Sequence, residues 1–124
     1  MKDNRPVNLD IHTIWMPISA ITSILHRISG IAIFFGVAVL LYLLDGSLSS
    51  AESFEKTQLA LQAPLLKVVV WLVLCGFIYH TCAGIRHLIM DMGLGMSQLA
   101  GSRSATVAII ASVILMILAG VWLW

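Results

Sequence analysis

Charge is scarce in this chain. Only 10% of its 124 residues are charged, while 60% are hydrophobic. Soluble domains carry about 25% charged residues, so the balance excludes an ordinary soluble domain and predicts an integral membrane protein. The formal net charge of +1 lacks the basic excess of a nucleic-acid-binding protein. Cysteine is limited to Cys75 and Cys82, one heptad apart. On one helix they would lie about 10 Å apart, too far for a mutual disulfide, and they are expected to be free packing thiols. The sequence holds no HExxH, no Gly-rich phosphate loop, no CxxC and no carboxylate pair inside an apolar run. Those gaps exclude the usual metallohydrolase, nucleotide-binding and dithiol chemistries. No apolar core of a signal directly follows the mixed-charge start Met1-Lys2-Asp3-Asn4-Arg5-Pro6. Insertion is therefore expected through the first spanning helix itself, as in a bacterial inner-membrane protein.

What is present is long apolar runs. The sequence predicts an all-α membrane protein in which residues 1–124 form one anchor domain. Its spans cover about residues 22–44, 65–90 and 104–124, each near the 20 residues that a bilayer requires. A short amphipathic arm precedes them, with Trp15 and Met16 suited to a membrane interface. The first helix is expected to begin near Pro17 or Ile18, where Pro is tolerated in a first turn, and to stop at Asp45-Gly46-Ser47. A polar connection follows over residues 45–64. It could hold a short helix from Glu52 to Gln62, capped by Ser50. Gly93, Gly95 and Gly101 are expected to break the chain before the third span. Lys67 would snorkel at one end of the second span, and Trp122 and Trp124 would anchor the far end of the third.

Three spans put the termini on opposite sides. Lys2, Arg5, Arg27, Arg86 and Arg103 fall on the N-terminal side, and Lys56 and Lys67 on the other. The positive-inside rule then predicts a cytoplasmic N-terminus and a periplasmic C-terminus.

The second span ends on Tyr79-His80-Thr81-Cys82-Ala83-Gly84-Ile85-Arg86-His87-Leu88-Ile89-Met90-Asp91. On a helix, His80, Gly84, His87 and Asp91 share one face, and Arg86 lies about 100° round from His87. Ionisable residues at membrane depth mark a functional site by default. Arg86, His87 and Asp91 equally suit the wet end of a spanning helix. His80 does not, because it sits about 9 Å further in than Arg86. A neutral imidazole in a helical bundle is a natural axial ligand for haem iron. Gly76 and Gly84, one turn away on each side, could admit a macrocycle or a neighbouring helix. A hydrogen-bonded structural histidine is the plainer reading of the same residue. A second iron ligand is more simply supplied by another subunit than by His12, His26 or His87.

The other cluster is Ser23-Ile24-Leu25-His26-Arg27-Ile28-Ser29-Gly30. Ser23 and Arg27 are four apart and share a face, with Gly30 leaving room beside them. A hydroxyl and a guanidinium there suit a quinone carbonyl or a carboxylate. They also suit an interfacial anchor, with Ser23 bonding a carbonyl one turn back.

These two motifs, together with Arg5-Pro6-Val7-Asn8-Leu9, resemble the cytochrome b membrane-anchor subunits of succinate dehydrogenase, respiratory complex II. The resemblance extends over essentially the whole chain and is most specific at His26-Arg27-Ile28-Ser29-Gly30 and His80 through His87. It implies that His80 is an axial ligand of haem b, with the other ligand coming from a partner anchor subunit in a heteromeric helical bundle. It implies that Ser23 and Arg27 bind ubiquinone, and that His26 and Arg27 approach the haem propionates. No role is implied for His87 or Asp91. A flavoprotein and an iron–sulfur subunit would complete the enzyme, and this chain would be a non-catalytic subunit. Two alternatives stand beside it: an anchor of the fumarate reductase type, and a structural membrane helper without a cofactor.

Overall fold

A computed structural model describes Asp10 and residues 13–124. The Arg5-to-Leu9 motif, Lys2 and His12 lie outside the described residues. Four helices follow in order: α1 Ile18–Ser49, α2 Ala51–Ala60, α3 Pro64–Asp91 and α4 Gln98–Leu123. There is no strand among the described residues, and α1, α3 and α4 are each long and apolar enough to cross a membrane. The chain is thus an all-helical membrane protein.

Pro17 caps α1 in an extended conformation, and its carbonyl accepts from the amides of Ala20 and Ile21. The helix does not stop where the sequence predicts. It runs through Asp45-Gly46-Ser47 to Ser49. Hydroxyls near its end bond back onto the helix, Ser47 to the Leu44 carbonyl at 2.8 Å and Ser49 to the Asp45 carbonyl at 2.6 Å. A methyl group on Gly46 would stand 3.0 Å from Thr57 Oγ1, so the missing side chain lets α2 fold against α1. The true break is Ser50, which is fully extended. Its Oγ accepts from the Ser53 amide at 3.1 Å, making it the N-cap of α2.

Pro64 opens α3 at a position where no amide donor is needed. Its end is a Schellman motif: Gly93 has φ +83°, its amide donates to Met90, and the Leu94 amide donates to Ile89. Ser97 caps α4 through the Ala100 amide at 3.2 Å. Consequently α4 starts earlier than the sequence predicts, and Gly101 lies inside it rather than in a loop.

The core is built from small residues. Ala83 and Ala105 are 0% exposed, as is Thr22, and Ser112 is 1% exposed. Small side chains let apolar helices approach closely where no hydrophobic effect drives them together. Helices α1 and α3 run antiparallel in a register marked by glycines. Methyl groups on Gly30, Gly36 and Gly84 would meet His80, Val73 and His26 at 3.0, 2.8 and 3.4 Å. At the other end, Trp71 Nε1 donates to the Met116 carbonyl of α4 at 3.1 Å. Trp71 also meets Trp124 edge to face, and Lys67 Nζ sits 6.0 Å above the Trp124 ring. That cluster has the aromatic and basic character of a membrane interface. Only 11% of the most apolar window of each spanning helix is buried within the chain. The remaining apolar surface is available to lipid or to other helices.

Candidate functional site: a histidine stack between two helices

The antiparallel register brings together residues far apart in sequence. His26 from α1 inserts between His80 and His87 of α3. Its ring lies over His80 with centroids 4.1 Å apart at 19°, and over His87 at 4.9 Å and 24°. His80 and His87 therefore share one face of α3, as the seven-residue step predicts.

Each ring in the stack is held differently. His87 Nδ1 contacts the Ala83 carbonyl one turn back at 2.7 Å. His80 Nδ1 lies 3.1 Å from the His26 carbonyl and 3.1 Å from Ser29 Oγ. A carbonyl oxygen has no proton to give. Ser29 Oγ donates its only proton to the same carbonyl at 2.7 Å. These contacts assign the proton of the His80 ring to Nδ1, and that tautomer leaves its lone pair on Nε2. That nitrogen makes no hydrogen bond among the described residues. His26 Nε2 is buried and has no hydrogen-bond partner among them. An orphan of this kind is costly, and it calls for a ligand, an ion or water.

Two pockets open on either side of the stack. The first, of about 650 Å³, is bordered by His26, Arg27, Gly30, Phe34 and His80. Arg27 is exposed and makes no hydrogen bond or ion pair among the described residues. The second pocket, of about 560 Å³, is bordered by Ser19, Ser23, Arg86, His87 and Asp91. Ser23 and Arg27 share a helix face but border different pockets, with His26 between them.

Several expectations change. Arg86 is not the wet end of a helix: it is 6% exposed. Its Nε donates to Ser104 Oγ at 3.1 Å and its Nη2 to the Gly101 carbonyl at 3.1 Å, tying α3 to α4. Gly84 makes room for the His26 ring, and a methyl group on Gly76 would meet Ile33 at 3.6 Å. Gly84 thus lies against the α1 histidine, whereas the contact at Gly76 would accept a methyl group. Cys75 and Cys82 are free, as the spacing requires. Ser29 has no role in the sequence reading. Its three-residue spacing from His26 was the available signal, but spacing alone could not show that His80 would come to it from the other helix.

The arrangement offers an imidazole with a defined free nitrogen, an orphaned imidazole, an unpaired guanidinium and an adjoining opening. These features fit a large planar ligand with an electrophilic metal centre and anionic side groups. The orphaned His26 nitrogen and the opening that His26, Arg27 and His80 border together are the observations that carry that fit.

The chain is also similar to known membrane subunits. Residues 1–119 match the family described as succinate dehydrogenase/fumarate reductase transmembrane subunit. The chain is 44% identical to the succinate dehydrogenase cytochrome b556 subunit of Coxiella burnetii, covering 100% of both chains. It is 39% identical to that of Rickettsia bellii, covering 94% of this chain and 90% of the relative. It is 34% identical to the mitochondrial succinate dehydrogenase cytochrome b560 subunit of Bos taurus, covering 76% of this chain and 57% of the relative. On its sequence, its three spanning helices and these matches, the chain belongs to the succinate dehydrogenase/fumarate reductase transmembrane-subunit family, as a cytochrome b-type membrane anchor of succinate dehydrogenase.

Proposed function

We propose that this anchor binds haem b and forms part of the site that reduces ubiquinone. His80 would hold the haem iron through Nε2, and a second anchor subunit would supply the other ligand. The single observation that carries this is the 3.1 Å contact of His80 Nδ1 with the His26 carbonyl: an acceptor there assigns the ring proton to Nδ1 and leaves Nε2 for a metal. The names of the relatives, cytochrome b556 and b560, support haem b. When bound, haem b supplies a one-electron centre. His26 and Arg27, which border the same opening as His80, meet the propionates, Arg27 through its unpaired guanidinium.

Ubiquinone binds along the α1 face that carries Ser23 and Arg27, which requires His26, standing between their two pockets, to move aside. Donors aimed at a quinone oxygen are worth most where water is excluded, because they stabilise charge that develops during reduction. Electrons reach the quinone from succinate through a flavoprotein and an iron–sulfur subunit. The assembly lies in a bacterial inner membrane. The N-terminal side, with Arg27 and Arg103, faces the cytoplasm, while Lys56, Lys67 and the C-terminus face the periplasm.

The test is spectroscopic and uses the assembled complex. His80→Ala should convert low-spin haem to high-spin haem or lose it. His87→Ala should keep the low-spin spectrum, since His87 lies about 10 Å along the helix. An unchanged spectrum in His80→Ala, with loss in His87→Ala, overturns the assignment.

A further inference from the structure

The His80 ring is gripped by one short stretch of α1. His26 covers its face, the His26 carbonyl and Ser29 Oγ meet Nδ1, and the bare Cα of Gly30 admits Cε1. Ser29 is only 8% exposed, and its hydroxyl is fully committed. It donates to the His26 carbonyl at 2.7 Å and presents its lone pairs to His80 at 3.1 Å. A single acceptor on Nδ1 leaves an imidazole free to pivot about that contact. Two acceptors set apart on the same helix fix the plane of the ring.

We propose that Ser29 is the positioning residue for the haem ligand His80, fixing its ring plane and its free nitrogen through the triangle of Nδ1, Ser29 Oγ and the His26 carbonyl. The proposal rests on the reading that His80 ligates haem iron. Partners of this kind orient metal-bound histidines and tune the metal, and removing them typically costs about 10- to 100-fold in metal affinity or activity. Here the cost falls on the iron–imidazole bond. Ser29 is three residues from His26 and two from Arg27, so one turn of α1 would serve the ligand and the propionates together.

The experiment compares Ser29→Ala, Ser29→Cys and Ser29→Thr with the parental complex, purified with all subunits and haem. The readouts are the low-spin ferric electron paramagnetic resonance signal and the fraction of reduced haem that binds carbon monoxide. The largest g value of that signal depends on the relative orientation of the two axial imidazole planes. Carbon monoxide captures haem whose axial bond has loosened. Ser29→Ala should shift the g value and raise the carbon monoxide-bound fraction severalfold. Ser29→Cys, with a weak donor and acceptor in a similar volume, should do the same to a smaller extent. Ser29→Thr, which keeps the hydroxyl, should restore both parental values. Haem loss in Ser29→Ala with retention in Ser29→Thr would also support the assignment. Parental signals in Ser29→Ala or in Ser29→Cys, or failure of Ser29→Thr to restore them, overturns it. His80→Ala separates the two levels. If it keeps the low-spin signal, the ligand assignment itself is wrong. If it loses that signal while Ser29→Ala is parental, only the role of Ser29 falls.

Discussion

The two sides of α3 differ in how completely they satisfy polar residues, although Tyr79 Oη also ties α3 to the Thr22 carbonyl of α1 at 3.1 Å. On the side facing α4, Arg86 is almost fully buried, yet it has partners in Ser104 and Gly101, and Trp71 has one in Met116. The buried residues of α4 are small: Gly101, Ala105, Ala108 and Ser112. On the side facing α1, three histidine rings stack, one buried nitrogen has no partner, and Arg27 stands at an open pocket without a counter-charge. Membrane proteins satisfy their buried polar groups internally because hydrocarbon offers no substitute. A satisfied group therefore reads as structure. An unsatisfied group in the same bundle reads as a place kept for something else. Arg86 and His80 are both polar residues of one helix, and their hydrogen bonds rather than their chemical type separate a tie from the proposed binding site.

The largest expected effect lies on the α1 side. Arg27→Ala should slow quinone reduction by about 10- to 150-fold, since a hydrogen bond from a charged donor is worth about 1.5–3 kcal/mol. Succinate oxidation by an artificial dye that accepts electrons before the quinone should persist. Parental quinone kinetics in an assembled Arg27→Ala complex would remove the asymmetry drawn above. The next effect is on packing. A methyl group on Gly36 would lie 2.8 Å from Val73 Cγ1, closer than carbon atoms tolerate. Gly36→Ala should destabilise the assembled complex by about 1–3 kcal/mol, the usual cost of overpacking, measured by thermal or denaturant unfolding. No loss would mean that the helices part at little cost and that the glycine register does not fix the histidine stack.

Much of this was legible in the sequence, and the failures have physical causes. Three apolar runs announce three spanning helices, and a seven-residue step places His80 and His87 on one face. Helix ends are less legible. Asp45-Gly46-Ser47 has the composition of a break, but Ser47 and Ser49 satisfy carbonyls of their own helix, and Gly46 serves the approach of α2. Gly101 has the composition of a loop, but Ser97 caps the helix before it. Periodicity gives the direction of a side chain and not its neighbour. Helix geometry sets Arg86 about 100° round from His87, but its burial depends on Ser104 and Gly101, which arrive from α4. Ser29 was hidden for the same reason, since its partner arrives from α3.

A smaller effect belongs to the α4 side. Arg86→Met should weaken the bundle by about 0.6–2 kcal/mol, the range for interhelical hydrogen bonds in membranes. The cost stays modest because no buried group is orphaned: Ser104 Oγ still donates to the Gly101 carbonyl at 3.0 Å. Methionine fills much of the vacated volume. The low-spin haem spectrum should be unchanged, because the α1 side of the helix does not depend on this tie. A spectral change in Arg86→Met would show that the two seams of α3 are coupled and would blunt the contrast between them.

The smallest expected effect sharpens the comparison from the other direction. Gly101 is buried, but a methyl group placed on it would meet nothing within 4 Å. It sits in the first turns of α4, where glycine gives up about 1 kcal/mol of helix propensity relative to alanine. Its carbonyl, which accepts from Arg86 and Ser104, is unaffected by a side chain. Gly101→Ala should therefore be neutral or raise the stability of the assembled complex by about 0.4–1 kcal/mol, with parental quinone reduction. The same substitution at Gly36 is destabilising, so the pair isolates the space around each glycine from the backbone freedom that both share. A marked loss of assembly in Gly101→Ala would mean that a helix of a partner subunit fills the gap beside α4. The α4 side would then be an intersubunit surface, and its lack of orphaned groups would no longer identify it as purely internal structure.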